Sequence, residues 1–179
     1  MAGYVALLRG INVGGANLIG MDALAEDFRA AGYESVRTHS QSGNVLFTAE
    51  PQTAPDLEAA LESMLRHRLD APLTVIARSR DELAATVAAA PADHGSDEFR
   101  SEVFFLKHPL AADEVMAQLP ELRDGVDRMA PGPGALYFSR TKALATKTRI
   151  QRLMAMPVFK RMTVRTWRTT TRLLELLDA

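Results

Sequence analysis

The sequence contains no cysteine, which excludes disulfide bonds, thiolate nucleophiles and metal centres held by cysteine. Tryptophan occurs only once, and aromatic residues make up 6% of the 179 residues. No apolar run approaches the roughly 20 residues of a membrane-spanning helix, and the N-terminus lacks a basic region followed by an apolar one. We therefore expect a cytoplasmic protein with no membrane partner, since a cysteine-free chain also suits a reducing compartment.

Acidic and basic residues are unevenly distributed, although the formal net charge is only −1. Residues 1–127 hold 10 Lys and Arg against 20 Asp and Glu, whereas residues 128–179 hold 11 against 2. Such polarity is typical of a basic segment that binds an anionic ligand. It is equally typical of one that docks on the acidic part of its own chain. Composition favours neither interpretation.

Hydrophobic periodicity predicts the same order of strands and helices twice. Residues 4–78 combine short β-rich runs with apolar residues at helical spacing, in the order βαββαβ. Residues 102–165 repeat that order, and an apolar stripe over 169–177 predicts a C-terminal helix. The predicted fold class is α+β, with two tandem ferredoxin-like βαββαβ units that have antiparallel sheets, plus the C-terminal helix.

The boundary between the two units is expected near Pro91–Ser101, a polar segment rich in turn residues. Ser79 and Glu82 form a capping-box pattern that opens the helix before it. In the second unit, the helix before the last strand is predicted over Lys147–Met156. We expect a first subdomain, a helix with linker, and a second subdomain that includes the C-terminal helix, at 1–79, 80–101 and 102–179.

Each predicted sheet carries helices on one face and leaves the other face open. In a small chain, two such faces cover each other, pair in a homodimer or bind something. A protein-interaction or structural dimer is therefore one hypothesis for the function. The sequence is compatible with both a monomer and a homodimer.

The first predicted strand ends in an arginine and runs directly into a glycine-rich turn, Arg9–Asn17 (RGINVGGAN). Turns of this kind expose backbone N–H groups that can bind phosphate or carboxylate, helped by the next helix N-terminus. The spacing matches neither a P-loop nor a dinucleotide fingerprint. A structural interpretation stays open, in which the glycines supply positive φ and Arg9 pairs with a carboxylate.

A second polar turn, Ser40–Asn44 (SQSGN), follows a strand that runs parallel to the first one. The two turns are therefore expected at one edge of the sheet, with Arg165 and Trp167 closing a common site for a small anionic ligand. In this hypothesis Arg9 clamps the anion and the glycines offer backbone N–H groups. The candidate ligand-binding residues are Arg9, Gly10, Asn12, Gly14, Gly15, Asn17, Ser42, Gly43, Asn44, Arg165 and Trp167.

No catalytic residue, cofactor or metal site is predicted, and the sequence does not decide whether the protein is an enzyme. The histidines show no metal-ligand spacing and no Ser-His-Asp context, and are interpreted as surface residues. They are His39, His67, His94 and His108.

A second binding hypothesis is a module for single-stranded nucleic acid that uses the basic stretch 128–172. Its aromatic contacts would come from Phe104-Phe105 and Tyr137-Phe138 on predicted strands. Adjacent strand residues face opposite ways, so one ring of each pair would lie on the open side of the sheet. RNA-recognition modules stack bases on rings in that position.

Nearly the whole chain resembles the bacterial domain-of-unknown-function family 1697. The resemblance rests on YVALLRGINVGGANLIGMDALAEDFRAAGYESVRTHSQSGNVLF, with the family's Leu-Arg-Gly-Ile-Asn-Val-Gly-Gly stretch, Met-x-x-Leu helix and Ser-Gly-Asn-Val hairpin. The segment Arg165-Thr-Trp-Arg-Thr169 is similar to the family's Arg-Asn-Trp-x-Thr ending, with Thr166 in place of asparagine. The resemblance implies a duplicated ferredoxin-like arrangement and a bacterial protein, and it implies no activity.

Overall fold

The computed structural model describes residues 1–15, 17–69 and 72–179, except for the side chain of His67. Ala16 of the predicted glycine-rich turn lies outside the described residues. The chain divides into two units. Unit 1 comprises Met1–Leu83 and Leu173–Ala179, and unit 2 comprises Ala84–Arg172.

Unit 1 is a four-stranded antiparallel sheet with helices. Its strands stand in the order β2-β3-β1-β4, and its sequence order is β1 (Ala2–Arg9), α1 (Met21–Ala30), β2 (Glu34–His39), β3 (Asn44–Ala49), α2 (Ala54–Leu65), a 3-10 turn (Arg66–Arg68) and β4 (Thr74–Ser79). Leu57, Leu61 and Leu65 are almost completely buried because their four-residue spacing places them on one face of α2.

Unit 2 contains a second four-stranded antiparallel sheet, in the order β6-β7-β5-β8. The remaining elements are α3 (Arg80–Ala88), β5 (Phe99–Leu106), α4 (Ala112–Ala117), β6 (Asp127–Gly132), β7 (Ala135–Thr141), a 3-10 segment (Lys142–Lys147), α5 (Gln151–Met154), a second 3-10 segment (Pro157–Arg161), β8 (Met162–Thr166) and α6 (Trp167–Asp178). The molecule is thus an α+β protein whose two sheets fit two tandem ferredoxin-like units.

The boundaries of the predicted pieces differ from these units in two places. The first residues of α3 and the last turns of α6 belong to unit 1. Residues 99–101 of the expected linker pair with β7 as part of β5. The subdomain bounds 1–79, 80–101 and 102–179 stay a prediction about which pieces fold on their own.

The helix predicted over Lys147–Met156 is wrong in length, since α5 is a single turn. The residues before it are held by tertiary hydrogen bonds instead. Thr148 Oγ1 and the Arg149 backbone N–H both donate to the Asp127 carboxylate. A side-chain acceptor from another element therefore replaces the helical bonds that the apolar spacing alone suggests.

The pairs Phe104-Phe105 and Tyr137-Phe138 are completely or almost completely buried. Phe104 and Phe138 pack in the core with α4 and α5, and the Tyr137 hydroxyl donates to the Thr86 carbonyl of α3. The prediction that one ring of each pair is open for base stacking is therefore wrong. Among the residues that the structure describes, no helix has the length and hydropathy needed to cross a membrane.

Candidate functional site

The asparagines of the Arg9–Asn17 turn hold the turn itself in shape. Asn12 Nδ2 donates to the Ile19 carbonyl at 3.1 Å, and the Ile19 N–H donates back to Asn12 Oδ1 at 2.9 Å. Asn17 Nδ2 donates to the Gly10 carbonyl at 2.9 Å. Positive φ angles occur at Gly10, Asn12, Gly14, Gly15 and Asn17. These amides therefore stabilise a left-handed backbone path that other residue types rarely adopt.

The Ser40–Asn44 turn lies directly against this loop within unit 1. Asn12 Nδ2 also donates to the Gln41 carbonyl at 3.1 Å. Gly43 has a φ of +87°, and a Cβ at this position would lie 2.6 Å from Ile11 Cδ1. Glycine is therefore required both for the backbone conformation and for the close approach of the two turns.

Asn44 is buried and ties the hairpin turn together. Its Nδ2 donates to the His39 carbonyl at 2.8 Å and to the Ser40 and Ser42 hydroxyls at 3.0 and 3.2 Å. The two serine hydroxyls are also 2.7 Å apart. The predicted ligand-orienting role of Ser42 and Asn44 thus competes with hydrogen bonds that these side chains already make inside the turn.

Gly14 and Gly15 border open space in this loop. Apart from their own chain neighbours, none of the described residues has a heavy atom within 4 Å of a Cβ built on either glycine. Arg9 is half-buried, and this burial lowers the pKa of its guanidinium. Beside the glycines, Val13 is 68% exposed and Leu18 is 73% exposed. The groups that a ligand could reach at this loop are therefore backbone N–H groups, the arginine and two exposed apolar side chains.

Alanine at Gly43 is expected to lower the free energy of unfolding by about 2–3 kcal/mol, through left-handed strain and crowding against Ile11. Alanine at Gly15 is the control, since its φ is +78° but no neighbour crowds its Cβ. The control should lose only about 1–2 kcal/mol. Urea unfolding of both variants measures the difference, and equal losses would contradict close packing of the two turns.

Arg165 and Trp167 belong to unit 2. Arg165 is buried, and its Nη1 donates to Thr163 Oγ1 at 2.8 Å and to the Val164 carbonyl at 3.0 Å. Burial lowers the pKa of Arg165 to about 10. Arg165 therefore makes hydrogen bonds inside its own unit. Its place in a common site with Arg9 stays a prediction.

A cavity of about 410 Å³ opens in unit 2 where β8 ends and α6 begins. Its position follows from strand register, because Thr166 at the end of β8 pairs with Glu102 of β5. Residues 99–101 of β5 extend beyond the last residue of β8 and leave the gap. The aromatic and charged residues that line the cavity are Phe99, Arg100, Glu102, Arg140, Trp167 and Arg168.

Positive charge predominates in this cavity, with three guanidinium groups and one carboxylate. Arg100 and Arg140 are direct cross-strand partners, and Glu102 lies on the same face of β5 as Arg100. Burial raises the pKa of Glu102, while Arg140 and Arg100 act in the opposite direction. Arg140 Nε is buried and has no hydrogen-bond partner among the described residues. One of the guanidinium groups that line the cavity therefore has a buried N–H whose hydrogen bond is unmade among the described residues.

Trp167 is the first residue of α6, and neighbours in unit 2 hold its side chain in place. The His94 ring meets it edge-on, with ring centroids 4.8 Å apart and planes at 85°. Gly95 packs so closely that a Cβ there would lie 2.2 Å from Trp167 Cδ1. Thr166 caps the helix by accepting a hydrogen bond from the Thr169 N–H at 3.1 Å. The ring is therefore held in one position beside the arginines.

His94 is half-buried, so it is a surface residue with part of its ring inside unit 2. Its Nδ1 lies 3.1 Å from Ser139 Oγ, which lies 3.0 Å from Ser101 Oγ. Burial lowers the pKa of His94, opposed by the Glu102 backbone and the Asp93 carboxylate. The turn that contains His94 thus connects to the cavity through a row of hydroxyl groups.

Sequence reasoning missed most of this cavity. Phe99 and Arg100 fall within the predicted linker, and no sequence pattern marks Arg140. One signal was present, since Trp167 and Arg168 lie in a segment with three arginines. Cross-strand register, which local patterns do not reveal, brings the remaining residues to that segment.

Comparison with known proteins agrees with this architecture. The model of the family described as "Protein of unknown function (DUF1697)" matches residues 1–137. Among solved structures, the conserved bacterial protein SP0830 from Streptococcus pneumoniae is 25% identical, with a TM-score of 0.85 and 98% of each chain covered. No curated protein matches. The likeness in fold extends over both units, and neither description mentions a ligand or a reaction.

Proposed function

The chain belongs to the DUF1697 family, and from that premise we propose that it binds a small anionic ligand in the unit 2 cavity. The observation that carries the proposal is the convergence of Arg100, Arg140 and Arg168 on one cavity. The buried Nε of Arg140, which has no hydrogen-bond partner in the described part of the chain, supports it. An unpaired buried cationic donor is costly unless a ligand or water satisfies it.

Guanidinium groups suit this role because their planar fork of N–H donors matches carboxylate and phosphate oxygens. The cavity also borders the first residues of α6, a helix of 12 residues. The positive end of a helix dipole adds to the attraction for an anion. Three guanidiniums against the single Glu102 carboxylate leave the cavity with a surplus of positive charge.

We also propose that the two units are true ferredoxin-like βαββαβ repeats. Both sheets have the same strand order, with each first strand between the third and the fourth. Corresponding registers carry the same residue types, since Arg78 pairs with Val5 and Arg165 pairs with Val103. Both arginines are buried. An equivalent buried arginine on each fourth strand is the strongest residue-level support for duplication.

The Arg9–Asn17 loop remains a second proposed location for an anion in unit 1. The open positions of Gly14 and Gly15 and the half-buried Arg9 support it. The exposed side chains of Val13 and Leu18 support a different use of the same loop, contact with another protein or a second copy of this chain.

Alanine at Arg140 is expected to weaken binding of inorganic phosphate by about tenfold to a hundredfold, because a hydrogen bond to a charged group is worth about 1.5–3 kcal/mol. Isothermal titration calorimetry at low salt measures the affinity. Alanine at Arg161, which is exposed outside the cavity, removes the same charge and is the control. An equal loss in both variants would contradict a specific site, and absence of millimolar binding in the wild type would contradict the proposal itself.

Single-stranded nucleic acid is the competing ligand class, and the basic stretch 128–172 is its remaining support. It predicts binding that weakens steeply as salt increases, with a slope set by the number of phosphate contacts. A short oligonucleotide that binds more tightly than a small phosphate, and whose affinity Arg161→Ala also lowers, would favour this class.

A further inference from the structure

Two aromatic rings form walls of the same cavity that holds the three arginines. Trp167 is buttressed by the His94 ring and by Gly95. Phe99 is covered by the Arg128 guanidinium, whose Cζ lies 4.9 Å from the ring centroid. Arg128 is held in turn by the Asp93 carboxylate. Both rings are therefore fixed by neighbours before any ligand arrives.

The volume of the cavity is larger than a bare anion requires. Pockets of about 300–1,000 Å³ are typical of sites for small organic molecules. At about 410 Å³, this cavity falls inside that range. A phosphate or carboxylate held by the arginines would leave most of the volume, including the aromatic walls, to the rest of the molecule.

Glu102 gives a further indication about that molecule. A site for a bare anion gains nothing from a carboxylate, which repels the ligand. Glu102 lines the cavity, and burial raises the pKa of its carboxyl group. This group can bond to N–H or O–H groups on a ligand that extends beyond its anionic end.

We infer that the ligand of this cavity is an aromatic phosphate, a flat ring joined to a phosphate group, as in a nucleoside monophosphate. This inference rests on the anion binding proposed above. The ring lies against Trp167 and Phe99, the phosphate meets the arginines, and Glu102 receives polar groups of the ligand. Rings stack on fixed aromatic side chains with little loss of conformational freedom, which favours this class over a flexible aliphatic phosphate.

The test compares phenyl phosphate with methyl phosphate, which carry the same anionic group with and without a ring. Trp167 is the only tryptophan, so its fluorescence reports on this cavity alone. We expect phenyl phosphate to bind about tenfold more tightly than methyl phosphate and to change the fluorescence of Trp167. Adenosine 5′-monophosphate should bind at least as tightly as phenyl phosphate, and adenosine much more weakly than either.

Leucine at Trp167 or at Phe99 removes one ring while it keeps an apolar side chain. Titration calorimetry should then show the phenyl-to-methyl affinity ratio falling towards one. The Phe99 variant keeps the fluorescent reporter and serves if the Trp167 variant does not fold. Equal binding of both phosphates by the wild type would overturn the inference and leave anion binding intact. No binding of either phosphate would overturn both.

Discussion

Leucine at Glu58 is expected to lower the free energy of unfolding by about 3–5 kcal/mol, because it removes a buried carboxylate that compensates a buried guanidinium. Glu58 and Arg78 are each 2% exposed, and Arg78 Nη1 lies 3.6 Å from Glu58 Oε1. The same carboxylate oxygen accepts a hydrogen bond from the Ala77 N–H at 3.1 Å. One substitution therefore removes both an ion pair and a buried acceptor in unit 1.

Two further variants separate these contributions. Glutamine at Glu58 keeps an oxygen for the Ala77 N–H and removes only the charge, so its loss should be smaller. Burial lowers the pKa of Arg78, whereas Glu58 and Glu82 raise it, which shows that the carboxylates compensate a guanidinium in an unfavourable environment. The double change Glu58→Leu with Arg78→Met should recover most of the lost stability, since the buried guanidinium that Glu58 compensates is then removed as well.

Urea unfolding of the single and double variants measures these differences. Leucine at Glu26 is the control, because Glu26 pairs with Arg29 on the surface, where the two side chains are 70% and 50% exposed. An exposed pair contributes about 0–1 kcal/mol, so the control should change little. A double variant no more stable than Glu58→Leu would show that the ion pair is not the origin of the effect.

Local patterns predicted the elements whose stability is also local. The capping box is confirmed, since the Glu82 N–H donates to Ser79 Oγ at 3.1 Å and the Ser79 N–H donates to Glu82 Oε2 at 2.7 Å. Helix α2 follows its leucine spacing for the same reason. Helix α5 was predicted too long because Asp127, about 20 residues earlier, bonds to the residues before it. Periodicity contains no information about such a partner.

The candidate sites show the same difference between what local sequence patterns predict and what depends on residues distant in sequence. Topology was enough to place the Arg9–Asn17 and Ser40–Asn44 turns together, because strand direction fixes where each turn emerges. The roles of their side chains could not be predicted, since a buried Asn44 and a ligand-binding one look alike in sequence. The cavity depends on which residues pair across strands, as Arg100 does with Arg140. Only the structure supplies that register.

Contacts within unit 2 explain part of the charge asymmetry of the chain. Arg128 pairs with Asp93, and Arg149 pairs with Glu121 at 3.7 Å. Arg165 is buried and bonds to neighbouring β8 groups. Several residues of the basic stretch therefore act inside their own unit. Arg140 and Arg168 line the cavity instead, so the anion binding that we propose would use other members of the stretch than these contacts within unit 2.

Alanine at Gly95 is expected to lower the free energy of unfolding by about 2–5 kcal/mol and to change the shape of the unit 2 cavity at the same time. The φ of Gly95 is +86°, which costs a residue with a Cβ about 1–2 kcal/mol. The added Cβ would also lie 2.2 Å from Trp167 Cδ1 and 2.5 Å from Nε1. The indole is rigid, so the whole ring must move, and such overpacking costs about 1–3 kcal/mol.

Alanine at Gly125 is the matched control in the same unit, because its φ is +74° and, beyond its chain neighbours, no heavy atom of the described residues lies within 4 Å of a Cβ built there. This control should show the left-handed strain alone and leave the Trp167 fluorescence unchanged. Gly95→Ala should shift that fluorescence. It should also weaken the binding of phenyl phosphate more than that of methyl phosphate, since it displaces the Trp167 ring and no guanidinium. If the binding of both phosphates is weakened equally, Trp167 instead positions the arginines. Phe99 would then be the ring that contacts the aromatic part of the ligand.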